Sequence, residues 1–120
     1  MPKRILIVDD DKELSEEMAA ILCDQGYLVE DTSDTVQAEK LINENAYDVY
    51  LLDYKMSGLS GVDLLRKIKE KEPGAAVLII SGRPSIDKLL KEEKVSHLVS
   101  AIIKKPFDVE SLLQKIKTLA

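Results

Sequence analysis

Apolar and polar positions follow two alternating periods along the chain. Five short segments are rich in apolar residues, and stretches with apolar residues every three or four positions lie between and after them. The five segments are RILIV (4–8), YLVEDT (27–32), VYLLD (49–53), AVLII (76–80) and SAIIK (100–104). Strands that alternate with helices predict a parallel sheet covered on both faces, so we expect one α/β domain of the (βα)₅ type over residues 1–120. Three segments contain continuous apolar runs and are predicted to be central: 5–8, 49–52 and 76–80.

The helical stretches are marked by apolar stripes and by capping residues. The stripes are Leu14, Met18, Ile21 and Leu22; Ala38, Leu41 and Ile42; Leu64, Leu65 and Ile68; Ile86, Leu89 and Leu90; and Val109, Leu112, Leu113 and Ile116. Asp11, Asp34, Ser60 and Asp108 precede four of these stripes. Their side chains accept hydrogen bonds from the first amides of a helix, so we expect four helices to begin at these residues.

The amino-acid composition is that of a globular domain without disulfides. Apolar residues make up 45% of the chain and charged residues 32%, as in a globular domain. The single cysteine, Cys23, excludes an internal disulfide and a cysteine-rich zinc site, and we expect it to be half-buried beside the first helical stripe. The lone His97 has no catalytic partner in a motif and is expected at the surface. The chain shows neither a membrane-length apolar run nor a signal-peptide pattern, so we expect a cytoplasmic location.

Charge is unevenly divided along the chain. Residues 1–60 carry 5 basic and 14 acidic side chains, whereas residues 61–120 carry 12 basic and 8 acidic ones. An acidic half suits a bound cation and does not suit nucleic acid. We interpret the mild basic excess of the second half as a solvated surface, and we expect no direct contact with nucleic acid or membrane.

Polar side chains follow the predicted strands at the point where each strand ends. Asp9 and Asp10 follow the first strand, Asp53 ends the third, Ser81 follows the fourth and Lys105 follows the fifth. Ligands of open α/β sheets bind at this edge. The sequence therefore predicts a site of three carboxylates, a hydroxyl and an ammonium group. Thr32 and Ser33, which end the second strand, are expected instead to cap the next helix.

This set of groups favours magnesium and phosphate chemistry. Clustered carboxylates without a nearby histidine or cysteine are hard oxygen ligands, which Mg²⁺ prefers. The ion would relieve the repulsion among Asp9, Asp10 and Asp53, while Ser81 and Lys105 would supply donors for an anion. A carboxylate in such a place can act as the nucleophile toward a phosphoryl group and form an aspartyl phosphate.

Four motifs resemble the signature of response-regulator receiver domains. They are ILIVDDD, VYLLDYKMSGLSG, VLIISG and KKPF, and they stand in the family's order over nearly the whole chain. The resemblance implies a flavodoxin-like fold with strand order 2-1-3-4-5, and a domain that promotes its own phosphorylation and dephosphorylation rather than a conventional enzyme. It implies that a histidine kinase or phosphotransfer protein is the phosphoryl donor. It also implies that a downstream effector or fused output domain reads the face formed by helix 4, strand 5 and helix 5.

The resemblance also assigns roles to individual residues. Asp53 matches the phosphoacceptor, Asp10 the direct Mg²⁺ ligand and Asp9 an acidic partner that acts mainly through water. Ser81 matches the switch hydroxyl and Lys105 the lysine that contacts the phosphoryl group. Two further positions match by their backbone: Lys55 for a carbonyl that binds the metal, and Pro106 for a proline that follows a cis peptide bond.

The chain departs from the family pattern in four places, which leave the acidic pocket unchanged and concern the output face. Ser57 stands where proline is usual, and Ile102 stands where an aromatic switch residue is common. The segment KVSHLVSAII lacks the Gly-Ala pair that usually precedes the fifth strand, and the stretch of chain that leads into this strand is longer than usual. The resemblance implies that the side chains two after Asp53 and two after Ser81 border the approach of a hydrolytic water. Here these are Lys55 and Arg83, so we expect two long cations to shield the phosphate and prolong its lifetime.

Two alternatives remain open from the sequence. A small Mg²⁺-dependent phosphohydrolase of the haloacid-dehalogenase type would use a D-x-D pair after the first strand, which Asp9 and Asp11 match. Against this alternative, the segment LLDYKM would be unexplained in such an enzyme, and the sequence shows neither a cap domain nor a late acidic pair. A receiver-like adaptor that works without phosphorylation is the second alternative, and the altered position of Ile102 is its main support.

Overall fold

The protein is described by a computed structural model that covers residues 3–54, 61–92, 94–105 and 107–119. The strands are β1 (Arg4–Val8), β2 (Leu28–Thr32), β3 (Val49–Asp53), β4 (Ala76–Ser81) and β5 (Ala101–Lys104). The helices are α1 (Lys12–Asp24), α2 (Thr35–Glu44), α3 (Gly61–Lys71), α4 (Ile86–Glu92) and α5 (Val109–Leu119), with a 3₁₀ turn at Ser96–Leu98. All five predicted strands are present, with ends that differ from the predicted ones by at most one residue.

The five strands form one parallel sheet in the order β2-β1-β3-β4-β5. This order confirms the flavodoxin-like topology and places the three continuously apolar strands in the centre. Every residue of β3 and of β4 is buried, as expected of strands that are covered on both faces. β2 and β5 are the edges, and their residues are more exposed.

The sheet separates two apolar layers, because successive strand residues point to opposite faces. Leu6, Val8 and Leu52 belong to the layer that includes residues of α2, α3 and α4. Ile7, Leu51 and Ile80 belong to the layer that includes residues of α1 and α5. We name these the α2–α4 layer and the α1–α5 layer. The next residues along β1 and β3 continue the same alternation into the predicted site.

Three of the predicted helix caps are present. Asp11 accepts a hydrogen bond from the Leu14 amide, and Asp34 accepts one from the Val36 amide. Asp108 accepts one from the Ser111 amide. The fourth predicted cap, Ser60, lies outside the described residues. These caps fix where the chain turns from the sheet edge into a helix.

Two side chains near the first two helices differ from the expectation. Cys23 is exposed, not half-buried, because it follows the buried Leu22 and is turned by about 100° away from the packed face of α1. Thr32 does not cap α2, since Asp34 does; the Thr32 hydroxyl instead accepts a hydrogen bond from the Asp34 amide and donates one to Gln37 Oε1.

His97 is exposed within the 3₁₀ turn, as predicted. Among the described residues, the longest helices are too short and too polar to cross a bilayer.

Candidate functional site

The carboxyl ends of β1 and β3 bring two buried carboxyl groups together. Ile7 and Leu51 pack in the α1–α5 layer, so Asp9 and Asp53, two positions further along, project on that same side of the sheet. The Asp9 amide donates a hydrogen bond to the Thr32 carbonyl oxygen at 3.1 Å, which continues the pairing of β1 with β2. The regular ladder thus carries the two carboxyl groups directly to the sheet edge.

Three carboxylates form a cluster there. Ligand oxygens of Asp9, Asp10 and Asp53 all lie within 4.8 Å of one another. Asp9 is fully buried, Asp53 is 6% exposed and Asp10 faces solvent. Asp11 is not part of this cluster, because its carboxylate caps α1. Like charges this close repel one another strongly when water is excluded.

The two oxygens of Asp9 have different surroundings. Oδ1 accepts a hydrogen bond from the Asp11 amide at 2.9 Å. Oδ2 is buried and has no hydrogen-bond partner within the part of the chain that the structure describes, although Lys105 Nζ lies 3.8 Å away. A buried carboxylate oxygen is normally satisfied. Oδ2 is therefore the atom that most requires a further positive group in this site.

The carboxyl group of Asp53 is much harder to ionise than that of an ordinary aspartate. Burial and the adjacent negative charge of Asp9 raise the pKa of Asp53 to about 7, although the Lys105 ammonium lowers it in part. Hydrogen bonding with Asp9 and Asp10 raises this pKa further. A cation that neutralised the cluster would favour ionised Asp53 and so prepare it as a nucleophile.

Ser81 and Lys105 are joined through the ends of β4 and β5. The Lys105 amide donates a hydrogen bond to the Ser81 carbonyl oxygen at 2.8 Å. The buried Ser81 hydroxyl oxygen accepts a hydrogen bond from the Arg83 amide at 3.0 Å. The Lys105 side chain is 29% exposed and reaches the buried Asp9. The structure thus places all five predicted side chains at one edge of the sheet.

The carboxylate set fits a hard divalent cation. Three acidic side chains offer oxygen ligands, and one of their oxygens is buried without a hydrogen bond among the described residues. Mg²⁺ takes oxygen ligands and keeps several waters, which the exposed side of Asp10 would allow. The carbonyl of Lys55, the proline-to-serine change at Ser57 and the peptide bond before Pro106 lie outside the described residues.

Sequence reasoning missed a side-chain contact beside the site. The Arg83 guanidinium carbon lies 5.8 Å from the ring centroid of Tyr54, and the expected shielding of a phosphate by Arg83 stays a prediction. Tyr54 directly follows Asp53 and packs against the α2–α4 layer. No periodicity signals such a contact, because it depends on the conformations of two side chains. Its sequence signal is limited to an arginine and a tyrosine that follow adjacent strands.

The face of α4 and β5 contains a groove of about 440 Å³. Ile102 lines it together with Leu90, and Lys104 pairs with Asp87 across it at 3.5 Å. Ile102 is partly buried and packs against the α2–α4 layer. An aliphatic side chain therefore occupies the position where the resemblance implies an aromatic switch.

Comparisons with known proteins agree with this geometry. The family model of the response regulator receiver domain matches residues 5–117. The response regulator MprA of Mycobacterium sp. (strain KMS) is 34% identical over 122 residues, which cover 99% of this chain and 51% of that protein. The chain thus spans about half the length of this curated relative.

Solved structures give the same result. A CheY-like receiver domain protein from Methanospirillum hungatei JF-1 is 30% identical with a TM-score of 0.89, over 98% of this chain and 93% of that one. The response regulator TrrA of Thermotoga maritima, solved in complex with Mg(2+)-BeF, is 26% identical with a TM-score of 0.85, over 98% and 99% of the two chains. These matches do not favour the phosphohydrolase alternative.

Proposed function

Since the chain belongs to the response regulator receiver domain family, we propose that it accepts a phosphoryl group on the Asp53 side chain in a Mg²⁺-dependent reaction. The observation that carries this assignment is the position of Asp53: a buried carboxyl group within 4.8 Å of the Asp9 and Asp10 ligand oxygens. Ser81 and Lys105 stand at the same edge. Receivers are signalling phosphoacceptor domains, and residues 1–120 would form one such domain.

The proposed step transfers the phosphoryl group to one oxygen of Asp53. That oxygen attacks phosphorus, and a new O–P bond forms as the bond between phosphorus and the donor's leaving atom breaks. With a phosphohistidine donor the electron pair returns to the imidazole nitrogen; with acetyl phosphate it leaves with acetate. Asp53 must be ionised to attack, so neutralisation of the carboxylate cluster favours the reaction.

Four other residues would support this step. Asp10 and Asp53 would bind Mg²⁺ directly, Asp9 would act mainly through water, and the Lys55 carbonyl is the ligand that the family resemblance adds. When bound, the ion supplies positive charge that favours ionised Asp53 and the oxygens of the phosphoryl group. The Lys105 ammonium, already 3.8 Å from Asp9, would pair with a phosphoryl oxygen.

Ser81 would sense the phosphoryl group. Its oxygen accepts the Arg83 amide hydrogen, so its own hydroxyl hydrogen can turn to donate to a phosphoryl oxygen. A shift of Ser81 would carry the following loop and α4 with it. We expect this movement to change the face formed by α4, β5 and α5, where a downstream effector or a fused output domain would bind.

Intact-mass analysis tests the phosphoacceptor. After incubation with Mg²⁺ and acetyl phosphate, the wild-type protein should gain one phosphoryl group and the Asp53→Asn variant none. Asp11→Asn is the matched control, because it removes a neighbouring carboxylate that caps α1 and lies outside the cluster. That variant should still be modified. A modified Asp53→Asn protein would refute the assignment, and an unmodified wild type would favour the adaptor alternative.

We expect the physiological donor to be a histidine kinase or a histidine phosphotransfer protein in the cytoplasm. The names of the relatives support this expectation, because they are response regulators. Transfer from a purified kinase to wild type, with none to Asp53→Asn, would identify the donor. We propose that this domain makes no direct contact with nucleic acid or membrane.

A further inference from the structure

The backbone of Lys94 adopts a conformation that is unusual for a residue with a side chain. Its φ angle is 60°, in the left-handed region, and within the part of the chain that the structure describes it is the one residue other than glycine with a positive φ. In this region the Cβ of an L-amino acid lies too close to the following carbonyl oxygen. Glycine has no Cβ and takes the same conformation without that cost. Lys94 therefore carries backbone strain that a glycine would not carry.

This strained residue closes the C-terminal end of α4. The Lys94 amide donates a hydrogen bond to the Lys91 carbonyl oxygen, and the Val95 amide donates one to the Leu90 carbonyl oxygen, both at 3.0 Å. These two bonds form a Schellman motif, in which a left-handed residue follows the helix and the last carbonyl groups are satisfied. Leu90 and Val95 are each 1% exposed and belong to the α2–α4 layer. Because both side chains are buried, the turn between them holds Lys94 in the left-handed region.

The end of α1 shows the same motif with glycine in the corresponding place. The Gly26 amide donates a hydrogen bond to the Cys23 carbonyl oxygen at 3.0 Å, and the Tyr27 amide donates one to the Leu22 carbonyl oxygen at 3.2 Å. The φ angle of Gly26 is 96°. The helices also differ in length, since α1 has 13 residues and α4 has 7, fewer than each of the other four. α4 therefore combines few helical turns with an unfavourable end.

We propose that Lys94 keeps α4 close to local unfolding, so that α4 opens while the central sheet stays folded. Opening breaks the two hydrogen bonds of the motif and releases the strain at Lys94. Because the strain is present only in the closed form, the opened form is more populated than it would be with glycine at this position. This inference concerns the unphosphorylated protein and does not depend on the proposed function of Asp53.

Opening of α4 changes the groove between α4 and β5. Leu90 and Lys91 of α4 line this groove together with Ile102 of β5. Loss of the last turn of α4 removes the wall that these two residues form, so the face exists in a closed and an opened form. A molecule that binds one form better shifts the equilibrium toward that form. Such a change of the face requires no aromatic side chain at the position of Ile102.

Native-state hydrogen exchange measures the opening. In the wild-type protein without a phosphodonor, the protection factors of the Leu89 and Val95 amides should be about tenfold or more below that of the Leu51 amide in β3. Lys94→Gly should raise the protection of both α4 amides several-fold, because relief of the Cβ clash outweighs the backbone entropy that glycine loses. Lys94→Gln removes the charge but keeps the Cβ, so it should behave as wild type.

Gly26→Ala is the reciprocal variant at the end of α1. A Cβ added at Gly26 would meet no atom within 4 Å, so only the backbone conformation opposes the alanine. The protection of the Tyr27 amide should fall several-fold. The Leu89 and Val95 amides should keep theirs, because the local opening of α4 does not relieve strain at Gly26. Equal losses at both helices would show that α4 exchanges only when the whole domain unfolds.

Trypsin provides a second readout, because cleavage of a native protein requires an opened segment. Cleavage of the wild type after Lys88 or Lys91 should be several-fold faster than cleavage of Lys94→Gly at the same bonds. Lys94→Gln is the matched control, since it also lacks the cleavage site at position 94 but keeps a side chain in the left-handed region. It should be cut within α4 as fast as wild type.

Two further results would overturn the proposal. Equal protection of the α4 amides and the Leu51 amide in wild type would show that α4 does not open locally. Unchanged protection of the α4 amides in Lys94→Gly would show that the left-handed conformation of Lys94 does not set the stability of α4. A wild-type protein that gains no phosphoryl group would refute the function proposed for Asp53 and leave these measurements unaffected.

Discussion

The carboxyl group of Asp53 combines two unfavourable features at one residue. It is almost fully buried, and the ligand oxygens of two other carboxylates lie within 4.8 Å of it. Burial and the neighbouring charge of Asp9 both oppose its ionisation, so the pKa of Asp53 rises to about 7. In the unfolded chain an aspartate loses its proton near pH 4. The folded protein thus binds a proton that the unfolded chain has already released.

This difference predicts a pH dependence of stability in metal-free protein. Between about pH 4 and pH 7 the folded state binds more protons at Asp53 than the unfolded state does, so this group's contribution falls as pH rises. Asp53→Asn removes the effect. Its stability relative to wild type should increase from pH 5 to pH 8 by about 1–3 kcal/mol and then level off. Urea unfolding in EDTA measures this, and a constant difference across that range would contradict it.

At the scale of elements, α2 and α3 are tied together by one lysine. Lys71, in the last turn of α3, donates hydrogen bonds to the carbonyl oxygens of Asn43 and Asn45, each at 2.9 Å, and also to that of Ile42. Carbonyl groups at the end of a helix lack partners within the helix. A single ammonium group on α3 therefore caps the C-terminal end of α2.

Lys71→Met should consequently destabilise the fold by about 1–2 kcal/mol, since hydrogen bonds to a charged group are lost. Lys67→Met is the matched control. Lys67 pairs with Glu39 at 3.6 Å, but both side chains are partly exposed to solvent, and such surface pairs contribute about 0–1 kcal/mol. Chemical denaturation compares the two variants. Equal losses would show that the carbonyl cap does not matter.

The element formed by α4 and β5 should respond weakly to phosphorylation. Ile102 lines the groove on this face but has neither a ring nor a hydroxyl group, so it cannot make the swing or the terminal hydrogen bond of an aromatic switch. On addition of a beryllofluoride phosphate mimic, NMR shifts of α4, β5 and α5 should be smaller than those beside Asp53. Shifts of equal size on that face would contradict this expectation.

At the scale of the whole molecule, Mg²⁺ should stabilise the fold. A ligand that binds the folded state alone raises stability once its concentration exceeds its Kd. Millimolar Mg²⁺ should therefore raise the melting temperature of wild type, whereas Asp10→Asn, which removes one charge from the repelling cluster, should lose this response. Asp11→Asn, which alters the α1 cap, should keep it. A wild-type melting curve that ignores millimolar Mg²⁺ would argue against the metal site.

Much of the molecule was predictable because its signals are local. The period of apolar residues predicted every strand, and the polar residues after the strands predicted which five side chains lie together at one edge of the sheet. The strand order came from the family resemblance. Cys23 was misplaced because one residue of helical rotation separates it from the buried Leu22. The contact between Tyr54 and Arg83 was missed because it depends on how two side chains turn, which no period records.

The strand order also sends the two halves of the chain to opposite ends of the sheet, since β1 and β2 lie on one side of β3 while β4 and β5 lie on the other. Residues 1–60 have a net charge of −9 and residues 61–120 one of +4. The molecule is therefore an electric dipole whose axis runs across the strands. A charged partner exerts a torque on such a dipole, so the orientation of the first collision is selected before any contact forms. Physiological salt limits this torque to about 8 Å, and higher salt should make productive collisions rarer without altering the bound complex.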